Sequence, residues 1–274
     1  MNKEPLPPRV PPPPPVVSAF RRTVALAAGI FLVGFASPRA QSDARPIVAE
    51  AQRRSEATSQ RYEGLLQVVD SRGKVADKRW TFMRLGSHGQ SKAVLRFVAP
   101  AEVKGVTLLI VNHPDRASDQ WMWTPALQRE RRIALQDRST RFFGTDFSFE
   151  DLEERDVSQY DYRLLGEEAI DGALCWRIES VPSQKKISQY TKSEVWIRKD
   201  NYAFAQVESY MKTELVRRLK YTDFVRVQGI WTGRRMEMSD LRRKSRTLLT
   251  LEKLEYNVPL KEEDFTLQAL RNPL

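Results

Sequence analysis

At 274 residues and 41% hydrophobic content, the chain has enough apolar material for one substantial domain or two small ones. The formal charge is +10; residues 1–40 hold Lys3, Arg9, Arg21, Arg22 and Arg39 against Glu4, which leaves +6 on the remainder. That basic surplus, spread without aromatic clustering, suits contact with anionic membrane surfaces at least as well as nucleic acid, and the single cysteine, Cys175, excludes a disulfide scaffold.

Pro5, Pro7, Pro8 and the run Pro11 to Pro15 allow only extended polyproline or disordered chain, because proline donates no backbone hydrogen bond. This stretch is read as an extension of a leader or a mis-set start codon in preference to an interaction motif. Arg21 and Arg22 then precede an apolar run, Val24 to Phe35, whose core is Val24, Leu26, Ile30, Phe31, Leu32 and Phe35. A bilayer span needs about 20 residues, so this shorter run fits a signal peptide. Gly34 and Ala36 satisfy the small-x-small cleavage rule and Ala40 is a second candidate, so the mature start falls between Ser37 and Gln41. Thr23, Val24 and Ala25 make a poor twin-arginine motif, which favours the general secretory route. Either route leads to the periplasm; the alternative is an uncleaved signal that anchors the chain in the inner membrane. No cysteine follows the signal core to receive acyl chains, which excludes a lipid-anchored lipoprotein. The expected division is residues 1–40, extension plus signal, and residues 41–274, a single domain.

From Asp43 to about Gln60 the chain is rich in helix formers, lacks glycine and sets Ile47, Val48 and Ala51 near one face, which predicts one helix. Beyond it, short apolar or alternating runs are separated by Gly, Pro, Asp and Asn. The predicted strands are Tyr62 to Asp70, Lys74 to Leu85, Lys92 to Val98, Val106 to Asn112, Gln120 to Thr124, Arg131 to Leu135, Tyr160 to Gly166, Cys175 to Val181, Lys192 to Lys199, Ala203 to Met211, Leu215 to Phe224, Ile230 to Ser239 and Arg243 to Tyr256. Many strands with short links make the fold class mainly β, an antiparallel meander closed as a barrel or left as one strongly curved sheet. In the Lys192 to Lys199 strand, Val195 and Ile197 share a buried face, while Glu194, Trp196 and Arg198 share a wet one on which Trp196 is the exception. Asp70 to Gly73 and Lys199 to Asn201 have the composition of hairpin turns. Ser148 to Arg155 is the one helical interruption, with Ser148 and Asp151 spaced as a capping box, so its acids are read as structural rather than catalytic or metal-binding.

Nucleophilic catalysis would need a serine or cysteine near His88 or His113, and both histidines lie in loop-like contexts that favour solvated side chains. There is no Cys pair, no H-E-x-x-H, no calcium loop and no phosphate cradle, so no metal or cofactor is expected. Glu167, Glu168 and Asp171 are read as solvated charges around a hairpin turn. Trp121 and Trp123 share a strand face, Phe142 and Phe143 open the next loop, and Met236 and Met238 share a face near Trp231. Bulky flexible groups of this kind line acyl pockets or fill ordinary cores, and periodicity leaves both readings open.

Four segments carry a resemblance. Phe97 with Pro100 and Gly105, then Gln120-Trp-Met-Trp-Thr-Pro-Ala126, then Arg131-Arg-Ile133, and above all Phe143-Gly-Thr-Asp-Phe-Ser-Phe-Glu-Asp-Leu152 resemble the motifs of the LolA-like outer-membrane lipoprotein-sorting proteins, with the likeness running from about Tyr62 to Phe265. The resemblance implies a half-open antiparallel β-barrel with a helical lid and an apolar cavity for acyl chains. The candidate lining is Leu109, Trp121, Trp123, Phe143, Val195, Ile197, Met236 and Met238. The expected function is a non-enzymatic, monomeric periplasmic carrier of lipid or lipoprotein acyl chains, served by an inner-membrane transporter and an outer-membrane acceptor, and without nucleic acid as a partner. The rivals are a structural or accessory module of an envelope complex and a lipid hydrolase relying on His88 or His113. No chaperone-specific ligand residue maps onto a numbered position, which leaves the cargo open.

Overall fold

In the computed structural model, which describes residues 9–13, 43–184 and 186–271, alternating side chains and tight turns produce thirteen strands in one antiparallel sheet. The predicted signal core, Val24, Leu26, Ile30, Phe31, Leu32 and Phe35, lies outside the described residues. Six strands come first: β1 (Ser59–Val69), β2 (Val75–Ser87), β3 (Gln90–Ala99), β4 (Thr107–Val111), β5 (Asp119–Thr124) and β6 (Arg129–Arg132). After a long connection follow β7 (Tyr160–Ile170), β8 (Ala173–Pro182), β9 (Lys192–Arg198), β10 (Phe204–Met211), β11 (Glu214–Val227), β12 (Ile230–Asp240) and β13 (Ser245–Tyr256). Each corresponds to a predicted strand. Both expected turns are present: Asp70 accepts from the amides of Arg72 and Lys74, and the Asn201 side chain accepts from the amide of Ala203.

The chain is not one continuous meander. After β6 it crosses to the opposite edge, begins again at β7 and returns strand by strand, so that β13 pairs with β1 from Gln60↔Tyr256 to Val69↔Arg246. β6 and β7 are the two edges of an open sheet. Arg84 on β2 and Tyr160 on β7 nevertheless line one internal cavity. Eight strand spacings in a flat sheet would separate those strands by roughly 38 Å, so the sheet must curl.

Two segments fill the concave side. Helix α1 (Arg45–Arg54) sets Val48 and Ala51 against Ile178, Val195, Ile197 and Val207. The connection 133–159 inserts Ile133, Phe142 and Phe149 among Trp80, Phe97 and Leu108, with Phe142 stacked on Phe97 at 5.3 Å between centroids. On the convex side a second helix, α2 (Leu267–Arg271), and the turn Glu262–Phe265 before it cover Val94 and Leu109.

Three expectations are corrected. The first helix stops at Arg54, not Gln60, because Ser59 and Gln60 are taken by pairing with Leu85 and Tyr256, and the gain from the sheet ladder outweighs local helix propensity. The Ser148 to Arg155 helix shrinks to one 3₁₀ turn, Glu150–Leu152. Its capping contacts do form between Ser148 and Asp151, but Glu153 turns extended, at φ −75° and ψ 145°, and its amide closes a 3₁₀ turn on Glu150 O at 3.1 Å, so the helix goes no further. The outer face at Trp196 is not wet: the indole is 3% exposed against Cys175 and Ala205 and donates to Glu168 Oε2 at 2.9 Å. Burial pushes the Cys175 thiol up, away from reactivity.

Gly64 on β1 marks a close approach. Its cross-strand partner Trp80 is 1% exposed and lays its indole over the glycine, so that an added Cβ would sit 2.1 Å from Nε1. Gly64→Ala should therefore lower stability by about 1–3 kcal/mol, the range typical of overpacking a closed core. The urea midpoint checks this; an unchanged midpoint would mean that the indole moves aside freely.

Candidate functional site

Alternation along the strands turns Tyr160 and Tyr162 of β7, Val195 of β9, Val207 and Ser209 of β10, Arg217, Leu219 and Tyr221 of β11, Met238 of β12 and Tyr256 of β13 toward the inside. With Val48 and Gln52 of α1 and residues 150–155 of the connection, they enclose a cavity of about 360 Å³. A wider cleft of about 650 Å³ shares Phe204, Tyr221 and Tyr256 with it and is bordered by Trp231 and Met236. Helix α1 is fixed over the cavity by Gln52, whose amide donates to Arg155 O at 2.6 Å and accepts from Val157 N at 3.1 Å.

The interior is amphipathic rather than wholly apolar. Glu150, Asp151, Glu153 and Glu154 of the connection reach it, and each is engaged. Glu150 accepts from Ser188 and, at 2.9 Å, from the Gln189 amide. Asp151 is paired with Arg217 and accepts from Tyr190 Oη at 2.8 Å. Glu153 meets Arg138 at 2.6 Å and Lys186 at 2.9 Å, while Glu154 is paired with Arg84 and accepts from Ser91. Burial works against the charges on Arg217 and Lys186, but Asp151 beside the first, and Tyr160 with Glu153 beside the second, outweigh it and hold both cations above their ordinary pKa values. Burial pushes the phenols of Tyr162, Tyr190, Tyr221 and Tyr256 up, so these side chains present neutral hydroxyls and apolar rings.

The expected lining residues divide between the two faces. Val195 and Met238 line the cavity, Met236 borders the wider cleft, and Ile197 is fully buried in the core under α1. Phe143 packs edge-on against Phe97 and Phe142 and reaches neither space. Leu109, Trp121 and Trp123 lie on the convex face: Leu108 and Ile110 take the concave positions of β4, so Leu109 must point the other way, and all three pack with Leu270 and Phe265. The histidines are in turns or loops as expected, and each is half-buried with a polar partner. His88 Nε2 meets Gln52 O at 2.9 Å and His113 Nε2 meets Asp119 Oδ2 at 3.0 Å. Glu167 and Asp171 sit at the hairpin surface, paired with Lys199 and Lys220. Tyr160, Tyr162, Arg155 and Arg217 were not anticipated in the lining. The alternating Tyr160 and Tyr162 at the start of β7 were the available signal.

The Asp151–Arg217 pair is nearly sealed, with side chains 8% and 9% exposed. Removing one partner of such a pair strands the other charge, at about 3–5 kcal/mol. Asp151→Asn should lower the urea midpoint accordingly, whereas Asp161→Asn, at an ion pair whose carboxylate is 76% exposed, should leave it nearly unchanged. Equal effects would mean that the interior pair is solvated.

The fold is thus an open, curled antiparallel sheet with a cavity on its concave side. The chain belongs to a family whose model, described as an uncharacterized protein, matches residues 89–272. Among solved structures, it is similar to a DUF1329 family protein from Desulfovibrio piger, at 27% identity and a TM-score of 0.79 over 82% of this chain and 97% of that one. A protein from Vibrio parahaemolyticus that carries the name of an outer membrane lipoprotein-sorting protein domain is 26% identical, with a TM-score of 0.79 over 83% of this chain and 98% of that one. A LolA superfamily protein from Nitrosomonas europaea shares the fold at 18% identity and a TM-score of 0.66, over 83% of this chain and 99% of that one. No curated protein sequence matches the chain.

Proposed function

We propose that this chain is a non-enzymatic carrier that shelters acyl chains of a lipid or lipoprotein in its concave cavity and passes them toward the outer membrane. The observation that carries this reading is the cavity beneath α1, whose apolar wall is formed by Val48, Val195, Val207, Leu219 and neutral tyrosines. Each methylene moved from water into such a wall contributes about 0.8 kcal/mol, so part of one chain suffices for useful affinity. The carboxylates of the wall already have partners, so an entering chain does not strand unpaired acids. The sorting-domain name borne by the similar Vibrio parahaemolyticus protein supports the same reading.

In this account the leader directs export to the periplasm, residues 41–274 act as one monomeric domain, and no cofactor or nucleic acid takes part. Among the described residues no helix is long and apolar enough to cross a membrane. Loading and release fall to an inner-membrane transporter and an outer-membrane acceptor, with the basic surplus assisting approach to anionic lipid.

Purification from the periplasm without detergent, followed by solvent extraction and mass spectrometry, should yield stoichiometric lipid. Val207→Trp, which fills the cavity, should weaken binding of a fluorescent acyl probe by about tenfold or more, since it displaces several methylenes from the wall. A folded protein that is empty and indifferent to the probe would favour the structural-module reading instead.

A further inference from the structure

Among the described residues, Arg155 is a cation of the cavity wall with no carboxylate within ion-pair distance. Its guanidinium has five donors. One nitrogen donates to Ser193 Oγ at 3.3 Å, and the group lies 5.5 Å from the centroid of the Tyr160 ring. None of its nitrogens is sealed without a partner inside protein, so the unused donors open on the cavity. The acids that precede it in the chain are all taken.

The inner positions of β9 and β10 add a direction. Ser193 pairs with Ser209, Val195 with Val207 and Ile197 with Phe204, so cross-strand pairs pass from hydroxyl to aliphatic to aromatic within about 13 Å. The Ser193 and Ser209 hydroxyls touch at 3.2 Å at the end where Arg155 sits. Phe204, at the other end, borders both the cavity and the wider cleft.

Resting on the carrier reading above, we infer that the cavity selects an anionic amphiphile and holds it head inward. The carboxylate or phosphate of its headgroup binds Arg155 beside the serine pair, and the acyl chain runs past Val195 and Val207 toward Phe204 and the cleft. An apolar chain alone would leave an unpaired guanidinium in a low-dielectric site, whereas an anion completes it with charge-assisted hydrogen bonds.

Binding of palmitate and hexadecanol, equal in chain length, to the purified protein tests this. The wild type should prefer palmitate by about tenfold or more, the value of one charge-assisted hydrogen bond. Arg155→Met should abolish that preference while keeping hexadecanol binding, Arg155→Lys should retain part of it, and acetate should not displace palmitate. Equal affinities in the wild type, a preserved preference in Arg155→Met, or displacement by acetate would overturn the assignment. Should Arg155→Met bind neither ligand, Arg155→Lys decides: a retained preference supports the headgroup site and a lost one overturns it. Acyl binding without preference sinks the headgroup site alone, whereas failure of the wild type to bind either ligand sinks the carrier reading with it.

Discussion

The pairing of β1 with β13 is the constraint on which the rest depends. It joins residues nearly 200 apart in sequence, such as Gln60 and Tyr256, and welds two meanders into one sheet. Either meander alone would offer a shallow, one-sided surface. Joined, they curl until β2 and β7 face a common space, and the connection 133–159 can run from one edge to the other through the concave side. The cavity is therefore a consequence of topology, and the closure entropy of that long-range pairing has to be offset by what the two halves bury together.

That burial is uneven in kind. Around Trp80, Phe97 and Leu108 the concavity is filled by Phe142 and Phe149 of the connection. Under β7 to β12 it is only capped, by α1, and the connection beside that helix is tied to the sheet by the Asp151–Arg217 and Glu154–Arg84 ion pairs. Buried ion pairs contribute little net stability against an apolar alternative, because desolvation offsets their attraction. Their structural effect here is to hold the connection at a fixed height above the sheet, which keeps the space beneath α1 open while leaving no acid unsatisfied.

Much of the fold was legible because turn chemistry and alternation are local. Asp171 and Gly172, both at positive φ, set the two-residue hairpin between β7 and β8, and Val195 with Ile197 declared the inner face of β9. The restart at the far edge was not legible, since no local signal says which strand β7 will neighbour. Nor was the choice of face on β4. Leu108, Leu109, Ile110 and Val111 are all apolar, and period-two reasoning separates them into pairs without saying which pair is concave. Bulk and apolarity alone fit Leu109, Trp121 and Trp123 to a cavity wall, but a C-terminal helix that the sequence does not announce covers them on the convex face. The polar half of the site was missed because the acids of residues 150–154 have a sufficient local role as helix caps, and their partners Arg84, Lys186 and Arg217 lie on other elements.

The central claim is that the space beneath α1 is where an acyl chain resides. A crystal structure of the protein saturated with a long-chain lipid tests it most directly. The account predicts continuous tubular density between α1 and the inner faces of β9 to β11, in contact with Val195, Val207 and Leu219. Density on the convex face beside α2, or saturated binding with the space beneath α1 empty, would contradict it.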